Sequence, residues 1–312
     1  MRTTFSSLPS SRCGGTRCMR KLFSLIIAVF VGIGILSFGG DVTASDFKVK
    51  LSSYVLKQGD TLFVRVTSEK EPRGTLAGVK LSFLKANGVW ISAYGINVKK
   101  AAGNYRLTIR TSSDLFDKYI TVNKRNFPVT KLIITKELED KGYSYVSVEQ
   151  NIAGKEGQEL SKILNIYNPT AYFERSFVYP LDKIDISGNF GNIRKSGEIK
   201  LQHLGTDLDA DMGVPVYAIN DGRVVFVKNL TNDGNTLVID HGLGIYSLYL
   251  HLNEFKVSLG DMVKRGDVVA TVGNTGYSLG SHLHFSVKIN NGTSLASVDP
   301  LRFIKSANKI IQ

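Results

Sequence analysis

From Phe177 to about Phe303 the chain is cut into short runs, "VPVYAI", "RVVFVK", "TLVIDHG", "YSLYLHL", "DVVATVG" and "HLHFSVKI", with glycines or Asn/Asp pairs between them. Runs of this length, rich in β-branched and aromatic residues, make strands, and "NDGN" (232–235) is a strong hairpin signal. Such a segment has few ways to fold other than a hairpin-rich antiparallel β-domain with almost no helix. Asp46 to about Lys124 has a similar texture: "TLFVRV", "VKLSFL", "YRLTIRT" and "KYITV" alternate in period two, separated by "KQGD", "KANG" and "AAGN". Short strands at that spacing predict a small β-sandwich. It holds no histidine and no cluster of paired carboxylates, so it reads as a structural, spacer or binding module.

Residues 125–176 change character. Leu160, Ile163 and Leu164 recur at helical spacing and Pro169 follows, which predicts a short helix over Glu156 to Ile166. This stretch reads as a connector that either packs between domains or lies over an active site. The expected fold is therefore all-β: a sandwich at 46–124, a connector at 125–176 and an antiparallel β-sheet domain at 177–305.

The first 44 residues do not belong to that globular pattern. Arg2, Arg12, Arg17, Arg20 and Lys21 precede an uncharged run from Leu22 to Gly40, and "DVTAS" follows with small residues suited to cleavage. This is the form of a secretory signal. The run is also near the lower length limit for a membrane span, so residues 22–40 would alternatively serve as an uncleaved anchor. "MRKLFSL" has the basic start of a signal, which makes Met19 an alternative origin. Both cysteines, Cys13 and Cys18, precede the apolar run. The exported part would carry no disulfide and no cysteine zinc site, as suits an oxidising compartment. No Leu-x-x-Cys follows the run, against a lipoprotein anchor. The net charge of +12 favours anionic polymers such as those of the cell envelope. Export and the lack of a recognition-helix or base-stacking motif argue against nucleic acid.

All five histidines fall between 203 and 284: His203, His241, His251, His282 and His284. On a strand His282 and His284 project from one side while Leu283 goes to the other. His203 lies four residues before Asp207 in "HLGTDL", close enough to meet one ion if the chain is extended or turns at Gly205. Three nitrogen and oxygen ligands with one position open is the arrangement of catalytic zinc. His251 ends the alternating "YSLYLHL"; with His282 it could orient a water and stabilise an oxyanion. Spacing alone does not say which four of the five take part.

"HLGTDLDADMGVPVYAINDGRVV", "VIDHGLGIYSLYLHL", "GDMVKRGDVVATVGNTGYSLGSHLHFSV" and "VDP" (298–300) together strongly resemble the lysostaphin-type (LytM-like) zinc endopeptidases of bacterial cell walls. The match spans roughly 200–303 in the right order. Carried over residue by residue, the resemblance implies one Zn2+ per chain held by His203, Asp207 and His284, with His251 and His282 assisting catalysis. His241 matches a family histidine that is not a ligand and reads as structural. "GNFGNIRK" (188–195) loosely resembles the family's Phe-Gly-x-Arg lead-in, through Arg194. Ser281 stands where the family often has proline, which removes no functional group. "GNTGYS" (273–278) would form a loop at the cleft rim, with Tyr277 either touching substrate or merely exposed. The sandwich resembles the immunoglobulin-like domain that precedes the catalytic domain in some relatives.

The resemblance implies an exported monomer in the periplasm or cell envelope, hydrolysing peptide bonds in peptidoglycan stems or cross-links. Direct cross-links are favoured over glycine bridges, because a signal with no wall-anchoring repeat suits a periplasm. Two alternatives stand beside it. A non-catalytic member would bind the wall or activate an amidase, but such relatives usually lose ligands that this chain keeps. "VSLGDMVKRGDVVATVG" also resembles lipoyl and biotinyl carrier domains, which need neither export nor clustered histidines.

Overall fold

A computed structural model describes residues 46–311. The leader, both cysteines and the apolar run at 22–40 lie outside the described residues. No helix among the described residues is long and apolar enough to cross a membrane.

The first part of the chain forms nine strands: β1 (Lys48–Leu51), β2 (Val55–Lys57), β3 (Thr61–Thr67), β4 (Arg73–Leu76), β5 (Val79–Leu81), β6 (Leu84–Ala86), β7 (Val89–Gly95), β8 (Gly103–Arg110) and β9 (Leu115–Asn123). They make two sheets, ordered β1-β3-β7-β6 and β2-β9-β8-β4-β5. Leu62, Val64 and Val66 from one sheet share a core with Leu107, Ile109 and Ile120 from the other, as the alternation predicts. Every pairing here is antiparallel except β2 with β9, which is parallel.

The connector is richer than its one expected helix. After β10 (Val129–Lys131) come α1 (Lys136–Asp140), α2 (Tyr145–Ala153) and α3 (Lys155–Leu164). The α2 start is fixed by a reciprocal cap. Ser144 Oγ accepts from Ser147 N–H, and Ser147 Oγ accepts from Ser144 N–H. The amphipathic α3 lays Leu160, Ile163 and Leu164 against Phe226, Leu248 and Leu250.

The remaining strands are β11 (Ile186–Gly188), β12 (Ile193–Ser196), β13 (Ile199–Gln202), β14 (Thr206–Asp209), β15 (Pro215–Tyr217), β16 (Gly222–Leu230), β17 (Gly234–Gly242), β18 (Ile245–Leu252), β19 (Met262–Val263), β20 (Val268–Thr271), β21 (His282–Asn290) and β22 (Leu295–Val298). Eight of them form one sheet in the order β11-β14-β21-β18-β17-β16-β19, with β22 paired to β21. Its pairings are antiparallel throughout. The expectation of almost no helix is corrected at the end of the chain. Residues 300–303, read as the end of the strand region, open α4 (Pro300–Ile311), which begins with a proline whose missing N–H is harmless in a first turn. Phe303, Ile304, Ala307 and Ile310 make its buried stripe, which packs against β3 and β21.

That helix joins the sandwich to the large sheet. One core runs from Phe285 and Val287 through Phe303 to Phe63 and Ile91. Polar contacts reinforce the junction: Asn291 exchanges two hydrogen bonds with the Gly95 backbone, at 2.8 and 3.0 Å. Asp60, only 4% exposed, takes charge-assisted bonds from both Arg125 and Arg302, and Arg125 also reaches Asp299 at 2.9 Å.

Candidate metal centre

The two central strands of the site are in register. Asp207 on β14 lies opposite His284 on β21, and Asp209 opposite His282. Alternation sends Leu283, Phe285, Val287 and Ile289 into the core, so His282, His284, Ser286 and Lys288 share the other face. His203 reaches the same point from the turn before β14. Two glycines make the approach feasible: a Cβ on Gly205 would lie 2.3 Å from His284 Nε2, and one on Gly188 would lie 2.2 Å from Asp207 Oδ2.

His203 Nε2, Asp207 Oδ1 and His284 Nδ1 lie 2.8 to 3.0 Å from one another. Their outer partners determine what each atom offers. His203 Nδ1 faces the Asn189 carbonyl at 2.9 Å, and a carbonyl only accepts, so the proton sits on Nδ1 and Nε2 carries a lone pair. Ser286 Oγ donates to Leu204 O and therefore accepts from His284 Nε2–H, which leaves the lone pair on Nδ1. Arg194 takes the second carboxylate oxygen, Oδ2, at 3.3 Å. Three acceptor atoms converge on one point, each with its far side already satisfied. A cation satisfies such an arrangement, and the outer partners are those that orient metal ligands.

Burial would raise the Asp207 carboxyl, but its contacts with His203 and His284 outweigh burial and hold it well below the usual carboxylate range, so the carboxylate is ionised. Burial brings His284 down to about 4, against the pull of Asp207.

The other two cleft histidines face each other, ring centroids 4.9 Å apart. His251 Nδ1 donates to Thr275 O at 2.8 Å and His282 Nδ1 to Gly280 O at 2.9 Å, so both present a free Nε2. His282 Nε2 lies 3.8 Å from Asp207 Oδ1. Burial and the neighbouring His282 and His284 push His251 down to about 3, so it is neutral near pH 7. Its placement breaks the strand rule. Tyr246, Leu248 and Leu250 face the cleft side while Ser247 and Tyr249 face the core, so alternation would send His251 inward. Instead its φ is +61°, a left-handed conformation rare for a side-chain-bearing residue, which turns the imidazole out beside His282.

His241 stands apart. It is fully buried on the core face, bonded through Nδ1 to Asp221 O and through Nε2 to Ser247 Oγ, and burial lowers it to about 4. Tyr277 is also engaged: its hydroxyl donates to Ile133 O, and its ring packs edge-on against Tyr143 at 5.4 Å.

The site opens into a cavity of about 780 Å³ whose roof is the connector. Val148, Asn151, Glu156, Leu160 and Leu164 line it from α2 and α3. The roof is tied to the β16–β17 turn: Asn232 Nδ2 donates to Val148 O, Thr231 N–H to Glu156, and Tyr143 Oη to Thr231 O. The connector, read from the sequence as packing between domains, thus lines this cavity. Sequence reasoning missed these roof residues; the one available signal was the Leu160/Ile163/Leu164 stripe, which shows that α3 packs but not on what.

Comparison with known proteins places a likeness on this part of the chain: residues 201–298 match the family described as Peptidase family M23. Among its relatives, the peptidoglycan DD-endopeptidase ShyB of Vibrio cholerae is 41% identical over 124 residues, 38% of this chain and 29% of that protein. Lysostaphin of Staphylococcus simulans is 36% identical over 107 residues, 34% of this chain and 22% of that protein. The chain therefore spans less than a third of the length of these relatives. A solved structure of a putative peptidase M23 from Pseudomonas aeruginosa extends the likeness beyond residues 201–298. It has a TM-score of 0.56 and 25% identity, covering 80% of this chain and 95% of that one.

Proposed function

We propose that this chain is an exported zinc-dependent endopeptidase that hydrolyses peptide bonds in peptidoglycan stems or cross-links, with residues 1–44 as its export signal or anchor. The observation that carries the reading is the convergence of three lone pairs on His203, Asp207 and His284, beside a neutral His251 and His282, each with its Nε2 free. The peptidoglycan DD-endopeptidase named among the relatives supports the substrate class.

Zinc held by His203 Nε2, Asp207 Oδ1 and His284 Nδ1 would supply Lewis acidity, polarising the scissile carbonyl and making a water nucleophilic near neutral pH. The chain's own groups do the rest. Asn189 O, Ser286 Oγ and Arg194 hold the three ligands in orientation. His251 Nε2 and His282 Nε2, each a lone pair because Nδ1–H is spent on a carbonyl, accept the hydrogens of the attacking water. Once Nε2 has taken a proton it becomes a donor, placed to stabilise the oxyanion or to pass that proton to the leaving amine. Roof and sheet enclose the site, which strengthens each of these polar contacts.

The test is to purify the chain, count its zinc, and follow muropeptide release from isolated peptidoglycan beside a His284→Ala variant. About one zinc per chain with release that vanishes in the variant supports the hydrolase; a chain that binds no zinc removes it.

A further inference from the structure

Residues 46–124 carry 14 basic and 6 acidic side chains, whereas residues 125–312 carry 20 of each. The net positive charge of the described chain is therefore contributed by the sandwich alone. One side of the sandwich is taken: the sheet β1-β3-β7-β6 meets α4, with the Phe63 and Phe303 rings 5.4 Å apart. The outer face of β2-β9-β8-β4-β5 is open. Leu107, Ile109 and Ile120 point into the core, so Arg106, Thr108 and Arg110 of β8 and Asp117 and Tyr119 of β9 point outward. Register adds Arg73 and Thr75 of β4 and Lys80 of β5, all exposed. The result is one row of Leu115, Arg110 and Arg73, and beside it a row of Asp117, Thr108, Thr75 and Lys80.

Arg73 and Arg110 thus lie directly opposite each other, with Lys80 one strand and one row away. Opposite residues stand about 5 Å apart, and like charges there destabilise a sheet. No nearby carboxylate relieves them. Asp117, the one acid pointing outward from these strands, is spent on Arg106 at 2.6 and 2.9 Å. Asp114, in the β8–β9 turn, accepts from the Thr111 and Ser113 hydroxyls, each at 2.7 Å. Glu69 and Glu71 lie in the loop before β4, on either side of Lys70. Arg73, Lys80 and Arg110 make no hydrogen bond or ion pair among the described residues. Three cations gathered without a counter-charge oppose the fold, and an anion brought from outside removes that repulsion. The rest of the face indicates what carries the anion. Tyr119, 62% exposed, offers an open ring opposite Arg106, and Thr75, Thr108 and Asn104 supply hydroxyl and amide groups. The large aliphatic side chains, Val55 and Leu115, stand apart, on the edge strand and at a strand end. A membrane surface calls for a continuous apolar face, and single-stranded nucleic acid for several stacking rings. A sugar polymer with spaced charges fits hydroxyls, one ring and separated cations.

We propose that the outer face of β2-β9-β8-β4-β5 binds an acidic polysaccharide, with its carboxylates on Arg73, Lys80 and Arg110 and a sugar ring against Tyr119. The guanidinium fork matches a planar carboxylate in two parallel hydrogen bonds, which suits the opposed arginine pair. The sandwich is then a docking module that holds the chain on an anionic glycan, while other strands build the metal centre.

The test uses the purified full chain and four probes: polygalacturonate, neutral dextran, vesicles of phosphatidylglycerol with phosphatidylcholine, and a DNA duplex. None contains a peptide bond, so the outcome is independent of the hydrolase reading. Binding is read by calorimetric titration, and by co-sedimentation for the vesicles. Polygalacturonate should bind, more weakly as salt rises from about 0.05 to 0.5 M, and dextran should not. Arg73→Ala combined with Arg110→Ala should lower that affinity at least about tenfold, and Tyr119→Ala about threefold. Lys136→Ala combined with Lys183→Ala removes the same charge from exposed positions outside the sandwich and should change affinity less than about twofold. The double arginine variant should melt no lower than wild type, because it removes a repulsion. A clearly lower melting temperature would assign the arginines to the fold and overturn the proposal. So would an equal loss in the lysine control, tighter binding of vesicles or duplex than of polygalacturonate, or no binding of polygalacturonate.

Discussion

The two faces of β21 are built by different rules. On one, Leu283, Phe285, Val287 and Ile289 are all 0% exposed and make non-directional contacts with the core. On the other, His282, His284, Ser286 and Lys288 each direct a polar atom at a named partner. Burial of apolar surface tolerates small rearrangement, whereas a lone pair aimed at a cation tolerates almost none. Stability and chemistry are therefore separable on a single strand, residue by residue.

The largest effect should come from the polar face. His284→Ala should lower peptide hydrolysis by about 10³-fold or more and abolish zinc retention, since the several kcal/mol of electrostatic stabilisation depends on that ligand. Its metal-free melting temperature should stay close to wild type, and parallel thermal scans and zinc assays would show whether the faces are as independent as claimed. The converse substitution, Phe285→Ala, should destabilise the fold by about 3–5 kcal/mol in denaturant titrations while the folded fraction keeps its zinc. Arg194→Ala sharpens the contrast from outside the strand: chelator competition should find zinc affinity reduced about 10–100-fold, with little change in stability.

The smallest effect concerns His241 on the core face. Its native pKa of about 4 lies below the unfolded value of 6.5, so the unfolded chain binds the proton first as pH falls. The stabilisation is fully present above pH 6.5 and is lost between 6.5 and 4, with a slope of at most about 1.4 kcal/mol per pH unit. Urea unfolding across that range should show His241→Asn with a shallower dependence than wild type. An unchanged slope would locate the buried proton elsewhere.

Much of this was legible in the sequence where local rules and tertiary structure agree. The alternation of "HLHFSVKI" placed His282 and His284 on one face, and the His203/Asp207 spacing across Gly205 brought both to the same point. His251 was legible as a candidate from its place at the end of "YSLYLHL", but its direction was not, because that depends on a positive φ that no residue preference at that position announces. The short α1 and α2 carry too little periodicity to be read, and α2 is fixed mainly by the Ser144–Ser147 cap. Strand texture misled at residues 300–303, which open a helix whose apolar residues recur at i, i+1, i+4 and i+7.

The ring of charge around Asp60 bears on how portable the catalytic part can be. Arg125 and Arg302 both converge on this one buried carboxylate of the sandwich, and α4 is packed on β3. Cutting the chain after the sandwich would strand two guanidinium groups and bare an apolar helix face at once. The large sheet has been tailored to its neighbour, so this chain is to be engineered as a whole and not harvested as an interchangeable cassette.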